Sequence, residues 1–173
     1  MTKKLLPLAL TAALALGALS SASAHTRGAT DGNDTASALD LASAKLSHTR
    51  RAYKGTVATH DAFSNAVLGA AGDLYFDLDL TRNKRFDHYV WINNTSRGLI
   101  GKVFKKGRAR ALGRASVTRV DAKTLRFSFG RKVVRRTKRT VGFGARSRWT
   151  QPPTEYGGST LLTDRTPRGS HRF

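Results

Sequence analysis

Between Leu74 and Leu80 the chain reads LYFDLDL. Leu74, Phe76, Leu78 and Leu80 fall on one side of this stretch, and Tyr75, Asp77 and Asp79 on the other. Strict period two is the pattern of a half-buried antiparallel strand. The turn TRNKR follows, and then FDHYVWIN, from Phe86 to Asn93, with apolar residues on both faces as a central strand would have; Tyr89 and Trp91 are expected to face the core. Leu99 to Phe104, Ala115 to Val120, Thr124 to Phe129 and Thr140 to Trp149 read as further strands, with Asp121-Ala122-Lys123 as a hairpin-sized connection. Leu125, Phe127 and Phe129 are expected inward, as are Val141, Phe143, Ala145 and Trp149. Upstream, Leu39 and Leu41 alternate with Asp40, Thr49-Arg50-Arg51 reads as a turn, and Tyr53 to Thr59 is β-prone. Around Phe63, Val67 and Leu68, Gly69 and Gly72 limit any helix to one turn. Many short strands separated by turns indicate an antiparallel sandwich or barrel.

The first residues predict export. Lys3 and Lys4 precede an apolar run from Leu5 to Leu19, and Ala22-Ser23-Ala24 supplies a small-residue cleavage pattern, so the mature chain is expected to start at His25. The run is shorter than the roughly 20 residues a spanning helix needs, and no second apolar segment follows. Residues 1–24 are thus read as a signal peptide, 25–38 as a flexible polar N-terminus, 39–149 as one β domain and 150–173 as an irregular basic tail. There is no cysteine, which excludes disulfides, thiol catalysis and cysteine–metal sites.

The segments LYFDLDLTRNKRFDHYVWIN, VTRVDAKTLRFSFGRK and DRTPRG resemble a loose family of small exported β-sandwich domains found widely in actinobacteria. Its members carry a strand ending in a D-x-D-like pair, an aromatic strand, a Thr-Leu-x-Phe hairpin and a D-x-x-P-x-G tail. The resemblance runs from Leu39 to Gly169. It implies an antiparallel β-sandwich of about 7–9 strands, immunoglobulin-like or jelly-roll-like, similar to the DOMON-like or carbohydrate-binding-module-like class, and it implies no activity.

Charge is distributed unevenly. The chain has 31 Lys and Arg against 11 Asp and Glu. From His25 to Ser96 eight basic residues meet eight acidic ones, whereas from Arg97 onward 21 basic residues meet three acidic ones. Such a field attracts polyanions. Two runs concentrate it, KVFKKGRARALGR and RKVVRRTKR. Lys102, Lys105, Lys106, Arg108 and Arg110 of the first, with Arg131, Lys132, Arg135, Arg136, Lys138 and Arg139 of the second, are expected to form one basic pole on adjoining loops. Only Phe104 interleaves, and no helix is offered to a groove, so sequence-specific nucleic-acid recognition is not expected. The expected partner is an anionic polymer or anionic cell-surface material; the alternative is a basic surface with no specific ligand.

No enzyme is expected. His25, His48, His60, His88 and His171 are dispersed, no Gly-x-Ser-x-Gly occurs, and Gly142-Phe143-Gly144 lies in a strand rather than at a helix start. Asp77 and Asp79, with Thr81, Asn83 and Asp87 beyond them, loosely mimic a calcium loop, but Arg82 and His88 stand where glycine and glutamate are needed. The two carboxylates are therefore expected as solvated groups paired with Arg82, Lys84 and Arg85, and no cofactor is expected. Tyr75, Tyr89 and Trp91 form the alternative site, an aromatic platform for sugar rings, if they share an exposed face.

Overall fold

The computed structural model describes residues 27–134, 140–151 and 160–172. The signal-peptide reading and the basic residues Arg135, Arg136, Lys138 and Arg139 lie outside them.

The alternating stretch forms β4, Gly72–Asp79, and its apolar side is sealed: Leu74, Phe76 and Leu78 are fully buried. In chain order the other strands are β1 (Arg27–Thr30), β2 (Leu41–His48), β3 (Ala52–Thr59), β5 (His88–Thr95), β6 (Gly98–Lys105), β7 (Gly113–Arg119), β8 (Thr124–Gly130), β9 (Thr140–Gln151), β10 (Thr160–Arg165) and β11 (Gly169–Arg172). A short turn at Val67–Ala70 is broken by Gly69 at φ +96, where a side chain would run into the Asn94 carbonyl. A 3₁₀ turn covers Arg131–Val134.

All named strand pairs are antiparallel, and their order is β1-β2-β3-β8-β7-β6-β5-β4-β9-β10, with β11 also on β9. The structure is thus an all-β, curled sheet of eleven strands, more than the sequence suggested. The added strands occupy segments expected to be flexible or irregular. Arg27–Thr30 pairs with Ser43–Leu46, and Thr160–Arg165 and Gly169–Arg172 pair with β9. Those pieces are too short and polar to show a period. They become strands because β2 and β9 offer them a paired edge.

The curl brings opposite parts of the sheet together. Phe76 of β4 meets Phe127 of β8 edge-on at 4.8 Å and stacks on Phe143 of β9 at 5.8 Å. Burial of each such ring contributes about 1.5–3 kcal/mol. Across from β8, Gly55 of β3 lies so close to the Phe127 ring that no Cβ fits there. Leu125, Phe127, Phe129, Val141, Phe143 and Ala145 are all buried as their alternation predicted, and Trp149 is partly so.

The two ends of the strand order face each other along a seam. β11 lies against β1 and β2, and β2 against β9. Polar contacts cross it: the Leu41 N–H donates to Asp164 Oδ2 at 2.6 Å, and His48 Nδ1 meets His171 Nε2 at 2.8 Å. No helix among the described residues is long and apolar enough to cross a membrane.

Candidate functional site

Residues of the two basic runs meet where β6 turns into β7. The turn is tight: Gly107 takes φ +78, the Arg108 N–H donates to the Lys105 carbonyl, and the Lys106 N–H to that of Asp87. The 3₁₀ turn packs beside it, with Val133 filling the space left by the missing side chain of Gly113, and the Arg131 N–H bonded to the Arg51 carbonyl. Together they frame a hollow of about 600 Å³ lined by His88, Lys105, Arg108, Leu112, Lys132, Val133 and Val134. Three cations from the two runs thus share one concavity, and among the described residues no carboxylate lines it.

The other pole residues are placed differently. Lys106 borders a neighbouring hollow of about 290 Å³, with Asp77, Phe86, His88, Tyr89, Arg146 and Arg165. Arg110 is exposed on the turn. Lys102 projects from β6 with its ammonium 5.4 Å from the Trp91 ring, and the Arg131 guanidinium lies 5.7 Å from the Tyr53 ring.

Asp77 and Asp79 are not solvated, and their partners are not the turn cations. Asp77 Oδ2 accepts from Arg146 Nε at 2.9 Å, and the fully buried Asp79 pairs with Arg168 of the segment before β11. Arg82, Lys84 and Arg85 instead stand exposed in a turn with Arg82 and Lys84 at positive φ. In the calcium-loop candidate the carboxylates are engaged by protein groups. Asp87 caps that turn, accepting from the Leu80 and Thr81 N–H groups at 3.1 Å, from Thr81 Oγ1 at 2.7 Å and from His88 Nδ1 at 2.7 Å. Burial opposes its ionisation, but the bonds from His88, Thr81 and Leu80 outweigh it and hold the carboxyl below its ordinary range. For Asp77 the balance reverses: burial pushes its carboxyl up, and Arg146, Arg165 and Lys106 offset only part.

Tyr75, Tyr89 and Trp91 do share an outward face, which corrects the expectation that Tyr89 and Trp91 fill the core. Val90 and Ile92 do that, and the two aromatic side chains between and beside them are half-buried on the other side. Tyr75 is paired with Trp91 across β4 and β5, and the Tyr75 and Tyr89 rings meet edge-on at 5.9 Å. Asp73 fixes the row by accepting from Trp91 Nε1 at 2.7 Å and Asn93 Nδ2 at 2.6 Å. Cations cover much of it: the Arg146 guanidinium lies 3.8 Å from the Tyr75 ring, and Lys102 stands over Trp91.

A second cationic surface escaped the sequence reading. Lys45 of β2, Lys54 of β3 and Arg126 of β8 line a hollow of about 310 Å³ with Ser47 and Thr56. In register, Thr56 stands between Lys45 and Arg126, and Lys54 stands between Ser47 and Ser128. Cations and hydroxyls therefore alternate across the strands. The signal was present as Lys45, Lys54 and Arg126 at the polar positions of alternating strands, but isolated charges do not announce themselves as runs do.

No family model, no curated protein and no solved structure matches the chain.

Proposed function

We propose that this is an exported, non-enzymatic β domain that adheres through its basic surface to anionic polymer or anionic cell-envelope material. The observation that carries the reading is the hollow shared by Lys105, Arg108 and Lys132, cations from both basic runs with no carboxylate among its lining residues. Oxyanions entering it meet charge that is not already neutralised. The Lys45, Lys54 and Arg126 surface adds a second such contact. Adhesion of this kind is insensitive to ligand sequence and is screened over about 8 Å at physiological ionic strength. The layered packing of Phe76 on Phe127 supports a sandwich-like reading of the curl, in line with the resemblance to exported actinobacterial sandwich domains.

Retention on an immobilised sulfated polysaccharide tests this. The parent should bind at low salt and elute steeply as salt rises, and the variant with Lys105→Glu, Arg108→Glu and Lys132→Glu should elute well before it. Equal elution of the two, or retention indifferent to salt, overturns the proposal. A second reading, a carbohydrate-binding module, is favoured by the shared outward face of Tyr75, Tyr89 and Trp91. It requires a folded Trp91→Ala protein to lose binding to a neutral glycan that the parent binds.

A further inference from the structure

The chain has few carboxylates and many cations, yet some of its carboxylates gather in one place. One ligand oxygen each from Asp34, Asp40 and Asp164 lies within 4.8 Å of the others. Asp34 is exposed on the loop between β1 and β2, Asp40 immediately precedes β2, and Asp164 lies in β10. Among the described residues, no Lys or Arg forms an ion pair with any of them.

Asp40 is the decisive group. It is 1 % exposed, and neither of its carboxylate oxygens has a hydrogen-bond partner. A buried carboxylate without donors, facing other carboxylates, requires a cation or a proton. Asp31 stands beside the cluster with one oxygen, Oδ2, likewise buried and without a partner. Asp164 uses one lone pair on each oxygen, accepting from the N–H groups of Leu41 and Arg165, which orients it and leaves capacity for a further ligand.

We propose that Asp34, Asp40 and Asp164 bind a calcium ion that clamps the segment before β2 to β10 across the seam of the curled sheet. Calcium takes oxygen ligands at about 2.4 Å, so two ligands of one ion lie at most about 4.8 Å apart, as these oxygens do. Second carboxylate oxygens and water complete the six to eight oxygens that calcium accepts, with Asp31 adding negative charge beside the site. Magnesium fits less well, because it demands near-ideal octahedral geometry and gives up its water reluctantly. The electrostatics agree. Burial first, and then the Asp164 charge, push the carboxyls of both Asp31 and Asp40 above their ordinary range, with His60 opposing in part. That is the strain a bound cation relieves.

The test is thermal unfolding of the whole mature protein, stripped with chelator and then titrated with calcium chloride or magnesium chloride. Sites of this charge and openness bind calcium at about 0.1–1 mM, so about 10 mM should raise Tm by roughly 5 °C or more. Magnesium at the same concentration should do less. Asp34→Asn, at an exposed position where folding is not at stake, and Asp40→Asn should each remove most of the calcium shift. In chelator, Asp40→Asn should match or exceed the parent Tm, since it deletes a buried like charge; a merely structural Asp40 would give the opposite. No calcium shift in the parent overturns the proposal in favour of a shared proton, and so does a shift that survives in both variants. A magnesium shift as large as calcium's overturns the choice of ion.

Discussion

The outward faces of β2–β3–β8 and of β4–β5–β9 are built on the same period and carry similar numbers of cations, yet they present opposite surfaces. On the first, Lys45, Lys54 and Arg126 alternate with Ser47, Thr56 and Ser128, and among the described residues no carboxylate lines the hollow they form. On the second, Arg146 is held by Asp77 and spread over Tyr75, Arg168 is held by Asp79, and Asp73 is taken up by Trp91 and Asn93. A cation is available to a ligand only if no acid lies within its reach: Arg146 stands opposite Tyr75 but is taken by the diagonal Asp77, and Arg168 reaches Asp79 from outside the strands. Net charge does not report this; the placement of neighbours does.

Several substitutions would break or sharpen that contrast. The largest effect should come from Asp79→Ala, which leaves Arg168 without its buried partner. Because the Arg168 side chain keeps about a third of its exposure, the cost should be about 2–3 kcal/mol, below that of a fully buried pair. Urea unfolding measures it, and a loss under about 0.5 kcal/mol, the range expected of an ordinary surface site, would erase the distinction between the faces.

Next comes Trp91→Ala. A core tryptophan would cost about 3–5 kcal/mol, whereas this half-buried one should cost about 1.5–2.5 kcal/mol, including its bond to Asp73. An unfolded variant would show that the aromatic row is core after all. Replacing Lys45, Lys54 and Arg126 together by Gln should leave urea unfolding nearly unchanged but weaken binding to a sulfated polysaccharide about tenfold, or about 1.4 kcal/mol. Unchanged affinity would show that the open face takes no part in adhesion.

The smallest effect is in pH. Burial holds the Asp77 carboxyl above its ordinary range, so it takes up a proton at higher pH than an exposed aspartate would, and its hold on Arg146 weakens as it does. The second face then becomes more like the first, so polysaccharide binding should strengthen slightly as pH falls, an increase that Asp77→Asn should reduce. Stability follows the sign of each shift. A raised folded pKa, as at Asp77, favours the fold at low pH and loses that contribution as pH rises through it. The depressed Asp87 stabilises above its unfolded value and loses that contribution as pH falls through the folded one, so acid unfolding should be blunted in Asp87→Asn.

Strands β4, β8 and β9 were legible because one wall of each is apolar and the other largely polar, and Leu125, Phe127 and Phe143 could be placed inward residue by residue. β1, β10 and β11 were not, since their formation depends on partners distant in sequence. Tyr89 and Trp91 misled because FDHYVWIN is apolar on both faces, and periodicity alone cannot say which side meets the core. Neighbouring Val90 and Ile92 could have decided it, being purely aliphatic where Tyr and Trp each carry a polar atom. The carboxylate cluster was invisible for a different reason: Asp34 and Asp40 lie far from Asp164 in sequence, and only the seam brings them together.

The strand order also sets a timetable. A chain made from its N-terminus completes Gly72–Asp79 long before Gly142–Trp149, the stretch of β9 that pairs with it, exists. β3 likewise waits for β8. During that interval the nascent chain presents unpaired edges, and such long-range pairing makes folding slow, on the order of milliseconds to seconds. β9, bonded on one side to β4 and on the other to β10 and β11, is the strand whose arrival lets the whole close. Truncation after β8 should therefore leave β1 to β8 as an open and aggregation-prone ribbon rather than a smaller domain.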